Sequence, residues 1–250
     1  MTTSMHEATR LPRIIASRAV KIVRPRDAAD VYVNPAGEFR RLADAGALAR
    51  VAHGYYAVVP QEVREPKNWR PSVEAIALGI GVVDYGRDEV ALSGVSAARA
   101  LNALPRAVST AVVSVPVRRS PVQTSSGTVF FWHRQSESVE TQKTRTELAV
   151  GWMTTASQTL LDLADRPRLG NLGPSTISET LWHLAPMVDW QRVYELSEEL
   201  RRRSAYVRAY WVCAGLAPST APPPPPGRPV TSQGLRSWSG GVPALLGVVD

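Results

Sequence analysis

Apolar and polar positions alternate with two different periods along this chain, and the change of period divides it. Near the start, Ile14, Ile15, Ala19, Ile22 and Val23 recur at helical spacing, with Arg13, Arg18, Lys21 and Arg24 elsewhere around the same helix. Pro25 ends that helix or opens the next. A short second helix is expected over residues 27–33. Asn34-Pro35 then reads as a helix start: Asn34 caps, and Pro35 takes the first position, where no N–H is needed. The third helix runs over 35–45. Phe39, Leu42 and Ala43 share one face, Arg40, Arg41 and Asp44 point elsewhere, and Gly46 is a natural stop. The period then shortens to two. Residues 48–51 and 55–59 read as strands joined by Ala52-His53-Gly54.

Beyond residue 68 the two periods mix. The pattern predicts a helix over 71–86, a short strand over 90–92, and a helix over 97–104 capped by Ser93 or Ser96. Strands follow over 110–117, around Val113 and Val115, and over 128–133, after a turn at Ser125-Ser126-Gly127. Further strands are read at 137–141 and 148–153, and helices at 157–164, 175–184, 190–201 and 205–215. The expected class is α+β: an N-terminal winged helix-turn-helix, then a mixed α/β domain with a helical C-terminal part. Four regions result: a polar leader (1–10), a winged-helix block (11–60), an α+β domain (68–216) and a Pro/Gly-rich, disordered tail (217–250). The tail contains a run of five prolines, and an apolar stretch at 242–249 closes it. The proline run favours extended polyproline II and reads as a solvated linker.

Three short helices followed by a β-hairpin is the order of a winged helix. In that arrangement the third helix enters the major groove and the hairpin lies beside it over the backbone or minor groove. Arg40 and Arg41 are the candidates for reading base edges. Arg18, Lys21, Arg24, Arg26, Arg50 and His53 are the candidates for phosphate. Each of these side chains, taken singly, has a plain alternative as a solvated surface charge, so the order of elements carries more weight than any one arginine.

Charge and composition fit this picture without requiring it. The formal net charge is +7, and the surplus is arginine, the only lysines being Lys21, Lys67 and Lys143. Arginine grips phosphate and guanine edges bidentately, which lysine does not. A bias toward GC-rich codons produces the same excess with no ligand. At 44% hydrophobic and 20% charged residues the chain can bury a core. The single cysteine, Cys213, excludes an internal disulfide and a cysteine-based zinc site, and fits a reducing cytoplasm. The first ten residues hold no apolar run of a secretory signal, and no apolar run reaches the roughly 18 residues of a membrane span. A cytoplasmic protein is expected.

The run Phe39-Arg40-Arg41-Leu42-Ala43-Asp44-Ala45-Gly46-Ala47-Leu48, with Arg50-Val51 and Gly54-Tyr55-Tyr56-Ala57-Val58-Val59-Pro60, resembles the N-terminal winged helix of AbiEi-type antitoxins of type IV toxin–antitoxin systems, in their actinobacterial form. The segment Leu92-Ser93-Gly94-Val95-Ser96-Ala97-Ala98-Arg99-Ala100-Leu101 is similar to the start of that family's second domain. Residues 154–167 are similar to its T-x-x-x-T-L-x-D-L-A segment. The likeness spans about 11–216 and rests on hydrophobic signatures. It implies an antitoxin that represses its own operon and neutralises a nucleotidyltransferase-type toxin, with or without a direct complex. Arg118, Arg119, Arg201, Arg202 and Arg203, basic and placed at element ends, are the candidate contacts for the toxin or its RNA. The short stretch between the first and third helices and the proline-rich tail depart from the family pattern.

Enzymatic readings find little. His6, His53, His133 and His183 are scattered, and no pair has metal-ligand spacing. Asp162 and Asp165 can bind a cation in principle, but Asp165-Arg166 before Pro167 reads more simply as a helix-end ion pair. Gly79-Ile80-Gly81 lacks the lysine of a phosphate loop, and Gly94-Val95-Ser96-Ala97-Ala98 is not a nucleophile elbow. Trp132, Trp152, Trp182, Trp190 and Trp211 read as core or interface anchors. No catalytic set and no cofactor is expected. The alternatives left open are a winged-helix transcriptional regulator with a ligand-sensing C-terminal domain and, more remotely, a nucleic-acid-processing enzyme.

Overall fold

The computed structural model describes residues 12–104, 106–135 and 138–216. The polar leader, the proline-rich tail and His6 lie outside the described residues. The chain is mixed α+β. Among the described residues, contacts divide it into two compact units: residues 12–92, 109–135 and 143–152 in the first, and 93–104, 106–108, 138–142 and 153–216 in the second. The first unit thus holds the basic N-terminal block together with residues well beyond position 60.

In the first unit, α1 (Arg13–Ala16) leads to β1 (Ile22–Val23), a 3-10 turn (Pro25–Ala28) and α2 (Pro35–Asp44). Then come the hairpin β2 (Leu48–Ala52) and β3 (Tyr55–Val58), and α3 (Val73–Tyr85). The helix expected over 14–23 is therefore a single turn followed by a strand. Ile22 and Val23 are adjacent and both buried, because successive side chains of a strand point to opposite faces and here both faces are covered. Val23 joins Ile15, Ala28, Phe39, Leu42 and Leu48 on one side. Ile22 joins Val51, Ala52, Ala57, Ala75, Ile76, Ile80 and Leu148 on the other. A five-residue apolar pattern cannot distinguish this from an amphipathic helix. Lys21 adds to the switch: its Nζ donates to the carbonyls of Ala16 (2.7 Å) and Arg18 (2.8 Å), closing the short helix, while its backbone N–H donates to Leu148 O (2.7 Å). The second helix expected over 27–33 is the 3-10 turn alone.

The third helix forms where the pattern places it. The Asn34 side chain accepts from Gly37 N, Pro35 opens the helix, and Gly46 follows it at φ +81°. The three short strands form a sheet in the order β1-β3-β2, antiparallel throughout. Helix α3 crosses its second face so closely that a Cβ on Gly79 would run into Ile22.

A second sheet has six strands in the order β6-β7-β5-β4-β9-β8. They are β4 (Ala91–Leu92), β5 (Thr110–Val115), β6 (Val122–Thr124), β7 (Gly127–His133), β8 (Thr141–Arg145) and β9 (Val150–Thr154). β5 and β7 pair in parallel, while β4–β5 and β6–β7 are antiparallel. The sequence pattern misses β6 entirely. It places β8 at 137–141, four residues early, because the polar Thr-Gln-Lys-Thr-Arg of this edge strand carries no apolar alternation.

The second unit is helical: α4 (Val95–Ala100), α5 (Ala156–Asp165), α6 (Pro174–Leu184), α7 (Trp190–Glu199) and α8 (Arg203–Leu216). Neither Ser93 nor Ser96 caps α4. Gly94 does so at φ +53°, and both serines are fully buried. Helix α5 is the centre, buried at every position from Ser157 to Ala164 and packed by α4, α6, α7 and α8. Its interior polar groups are paired: Gln158 Nε2 donates to Asp162 Oδ1 (2.8 Å), and the Thr154 and Thr159 hydroxyls meet at 2.7 Å.

Cys213 on α8 sits at 3% exposure, its thiol 3.6 Å from Leu181 O on α6. Burial pushes this thiol up to about 12. Thiolate is the reactive form, so native protein should resist a disulfide reagent at mildly alkaline pH and react fully once unfolded. Fast labelling of the native chain would show that α8 opens readily.

Candidate nucleic-acid interface

Helix α2 is two-sided. Phe39 and Leu42 are fully buried, Phe39 standing edge-on to Tyr56 (5.3 Å between ring centres) and Tyr32 (6.3 Å). Burying those two fixes the rotation of the helix and leaves Arg40 and Arg41 exposed. Arg40 has no ion-pair partner among the described residues. Arg41 leans on Glu38, Nη2 to Oε2 2.8 Å and Nε to Oε2 3.0 Å. An exposed pair of that kind contributes little, about 0–1 kcal/mol, so Glu38 gives way easily to a phosphate or a base edge.

The β2–β3 hairpin carries Arg50, exposed and paired in register with Tyr56, and His53, exposed beside Gly54 at the tip. Gly54 has φ +77° with open space around it, so the turn is shaped by backbone rather than by packing. The other basic candidates are tied down to different degrees. Arg18 Nη2 donates to Asp27 O (2.8 Å), and Lys21 is the helix-closing donor already described. Arg26 is the most open, its side chain 71% exposed and 3.6 Å from Asp84.

Arg24 is different, and leads to a feature the sequence reading missed. Its guanidinium grips Asp27 through Nε and Nη2, and through Nη1 it reaches Asp84 near the end of α3. Asp84 is only 10% exposed and collects further donors: Arg119 Nη1 at 2.5 Å and the Tyr55 hydroxyl at 2.6 Å. Arg119 Nη2 also donates to the Tyr55 oxygen (3.0 Å), and its guanidinium lies 4.4 Å over the Phe131 ring. One carboxylate thus joins β1, β3, α3 and the loop after β5. Arg24 and Arg119, read from sequence as DNA and toxin contacts, have their donors engaged inside this unit. The signal that would have found the hub is a carboxylate at the C-terminal end of a helix that carries no other charge after Glu74, Val82-Val83-Asp84.

The chain is similar in fold to a solved mycobacterial protein. That structure is the crystal structure of the RV2827C protein from Mycobacterium tuberculosis, with a TM-score of 0.53 and 19% sequence identity over 82% of this chain and 77% of that one. At this identity the likeness to the mycobacterial protein is one of fold. No family model and no curated protein matches the chain.

Electrostatics follow the geometry. Burial works against the charge on Arg24 and Arg119, but the hydrogen bonds and proximity of their partners, Asp27 and Asp84 for Arg24, Tyr55 and Asp84 for Arg119, outweigh it and hold both above the ordinary arginine value. Tyr55 is pushed up by burial and by donating to the Asp84 carboxylate, with Arg119 opposing. Of the remaining candidates, Arg118 and Arg201 are exposed, Arg201 at φ +55°. Arg202 pairs with Asp165, and Arg203 Nε lies 3.6 Å from Glu198. Asp165 thus takes Arg202 as its nearer partner, Arg166 being 3.8 Å away. Asp162 and Asp165 are held by different groups rather than turned on a shared cation. Among the described residues no group of three or more His, Cys, Asp or Glu is placed to hold a metal, and no helix is long and apolar enough to cross a membrane.

Proposed function

We propose that residues 12–60 form a winged helix that docks on duplex DNA, with α2 in the major groove and the β2–β3 hairpin as the wing. The observation that carries this reading is the order helix, strand, turn, helix, hairpin with the strands arranged β1-β3-β2, combined with the rotation of α2 that exposes Arg40 and Arg41. A recognition helix needs one face fixed by packing and the opposite face exposed, and α2 buries Phe39 and Leu42 while Arg40 and Arg41 lie on the exposed side.

Fluorescence anisotropy of the full chain with the duplex upstream of its own gene tests the proposal. Affinity should fall steeply with salt, since each phosphate contact releases counterions. Arg40→Ala should lose about 1–3 kcal/mol, roughly 5- to 150-fold, on the cognate duplex and much less on random DNA. Arg50→Ala should weaken both alike. Equal loss on both duplexes from Arg40→Ala would mean that α2 does not read bases, and no binding at low salt would end the proposal.

The resemblance to AbiEi-type antitoxins extends it to an antitoxin that represses its own operon and counters a nucleotidyltransferase-type toxin. The test is co-expression of the full chain carrying Arg40→Ala and Arg41→Ala with the neighbouring toxin from a foreign promoter. Growth rescue supports neutralisation independent of DNA. Failure of both the variant and the unmodified chain to rescue growth would reduce the mechanism to transcriptional control.

A further inference from the structure

We infer that Asp84 is a positioning residue for the DNA-docking surface, holding the wing through Tyr55; this rests on the winged-helix reading. Strand β1 pairs only with Ala57 and Tyr56, so the tip of the hairpin beyond them is two-stranded, and a two-stranded hairpin is marginally stable by itself. In β2 the ladder is further broken: the register shifts between Arg50 and Ala52, next to the tip. Something outside the hairpin must therefore fix the direction in which Arg50 and His53 point. Tyr55 is the first residue of β3, two positions after His53, and its hydroxyl ends on Asp84. Asp84 belongs to a helix whose residues from Val73 to Gly81 are all buried, so its position is set by the core. The Arg24 bond ties the same carboxylate to the strand and turn that precede α2. Wing and recognition helix are thereby referred to one rigid point. A second tether, Ser125 N to Val51 O at 2.8 Å, holds β2 from the other side.

A preorganised wing binds more tightly because less motion is lost on docking. Tyr55→Phe keeps the ring and removes the hydroxyl that donates to Asp84 and accepts from Arg119. Below its melting temperature this variant should bind cognate and random duplex roughly 2- to 10-fold more weakly. The slope of affinity against salt should be unchanged, since the same phosphates are contacted once bound. Amide hydrogen exchange of the free protein should speed up at residues 51–55 and remain as before in α3. Asp84→Asn should act in the same direction, and Tyr55→Phe decides the matter if that variant does not fold.

The outcomes separate cleanly. If the unmodified chain binds no DNA, the winged-helix reading fails first. If it binds and Tyr55→Phe matches it in affinity and exchange, Asp84 has no positioning role and the DNA reading survives. A loss accompanied by a shallower salt slope would also overturn the inference, because it would mean that groups around the hub touch phosphate directly.

Discussion

A fragment ending at residue 60 is expected to be unfolded on its own, although it contains every element assigned to the winged helix. The reason is the second face of its sheet. Ile22, Val51 and Ala57 are at most 2% exposed, and they are covered by Ala75, Ile76 and Ile80 of α3 and by Leu148. Removing that cover returns two large aliphatic side chains to water at about 1.5–3 kcal/mol each. It also leaves Lys21 N without the Leu148 carbonyl and Arg24 without Asp84. Chains this short are marginal even with a complete core. Losses of this size are comparable with the whole stability of a small domain, roughly 5–15 kcal/mol. Circular dichroism and amide proton dispersion of residues 1–60 would check this against the full chain. A sharp, cooperative melt of the fragment would show that the N-terminal block folds independently and that its contacts with α3 are incidental.

The same two-faced sheet explains what the sequence disclosed and what it hid. Helix α2 was legible because its signals are local: Asn34 caps it, Pro35 opens it, Gly46 ends it, and Phe39 and Leu42 share a face. The hairpin was legible from its turn. Strand β1 was not, because Ile22-Val23 takes its identity from partners at Ala57 and Tyr56, more than thirty residues away in sequence, and a strand buried on both faces has no alternation to read. Strands β6 and β8 were hidden for the opposite reason: Val-Gln-Thr and Thr-Gln-Lys-Thr-Arg are polar edge strands whose pairing is decided by the neighbours they meet. For the candidate interface, the exposure of Arg40 and Arg41 followed from the helical period alone. The engagement of Arg24 and Arg119 did not, since their common partner lies sixty positions from one and thirty-five from the other.

Asp84→Ala is expected to lower the unfolding free energy by about 3–5 kcal/mol, the cost of removing one member of a buried ionic group and leaving its partners without compensation. The loss falls unevenly. Arg24 keeps its two bonds to Asp27, so its charge remains matched. Arg119 keeps the Tyr55 hydroxyl and the faces of the Tyr55 and Phe131 rings, and none of these carries a compensating charge. Arg119 is also mostly buried, its side chain 21% exposed, so water cannot make good the difference. A double-mutant cycle should therefore give a larger coupling for Asp84 with Arg119 than for Asp84 with Arg24. Tyr55→Phe, which removes one hydroxyl, should cost about 1–3 kcal/mol by leaving part of the carboxylate unsatisfied. Replacing the stranded cation as well, in Asp84→Leu with Arg119→Met, should recover much of the loss, because an apolar pair of similar size needs no compensation. Denaturant titration with an unchanged slope is the measurement. A loss below about 1 kcal/mol for Asp84→Ala would place this group with exposed surface pairs. It would also remove the rigid point to which the β2–β3 hairpin and the turn before α2 are both tied.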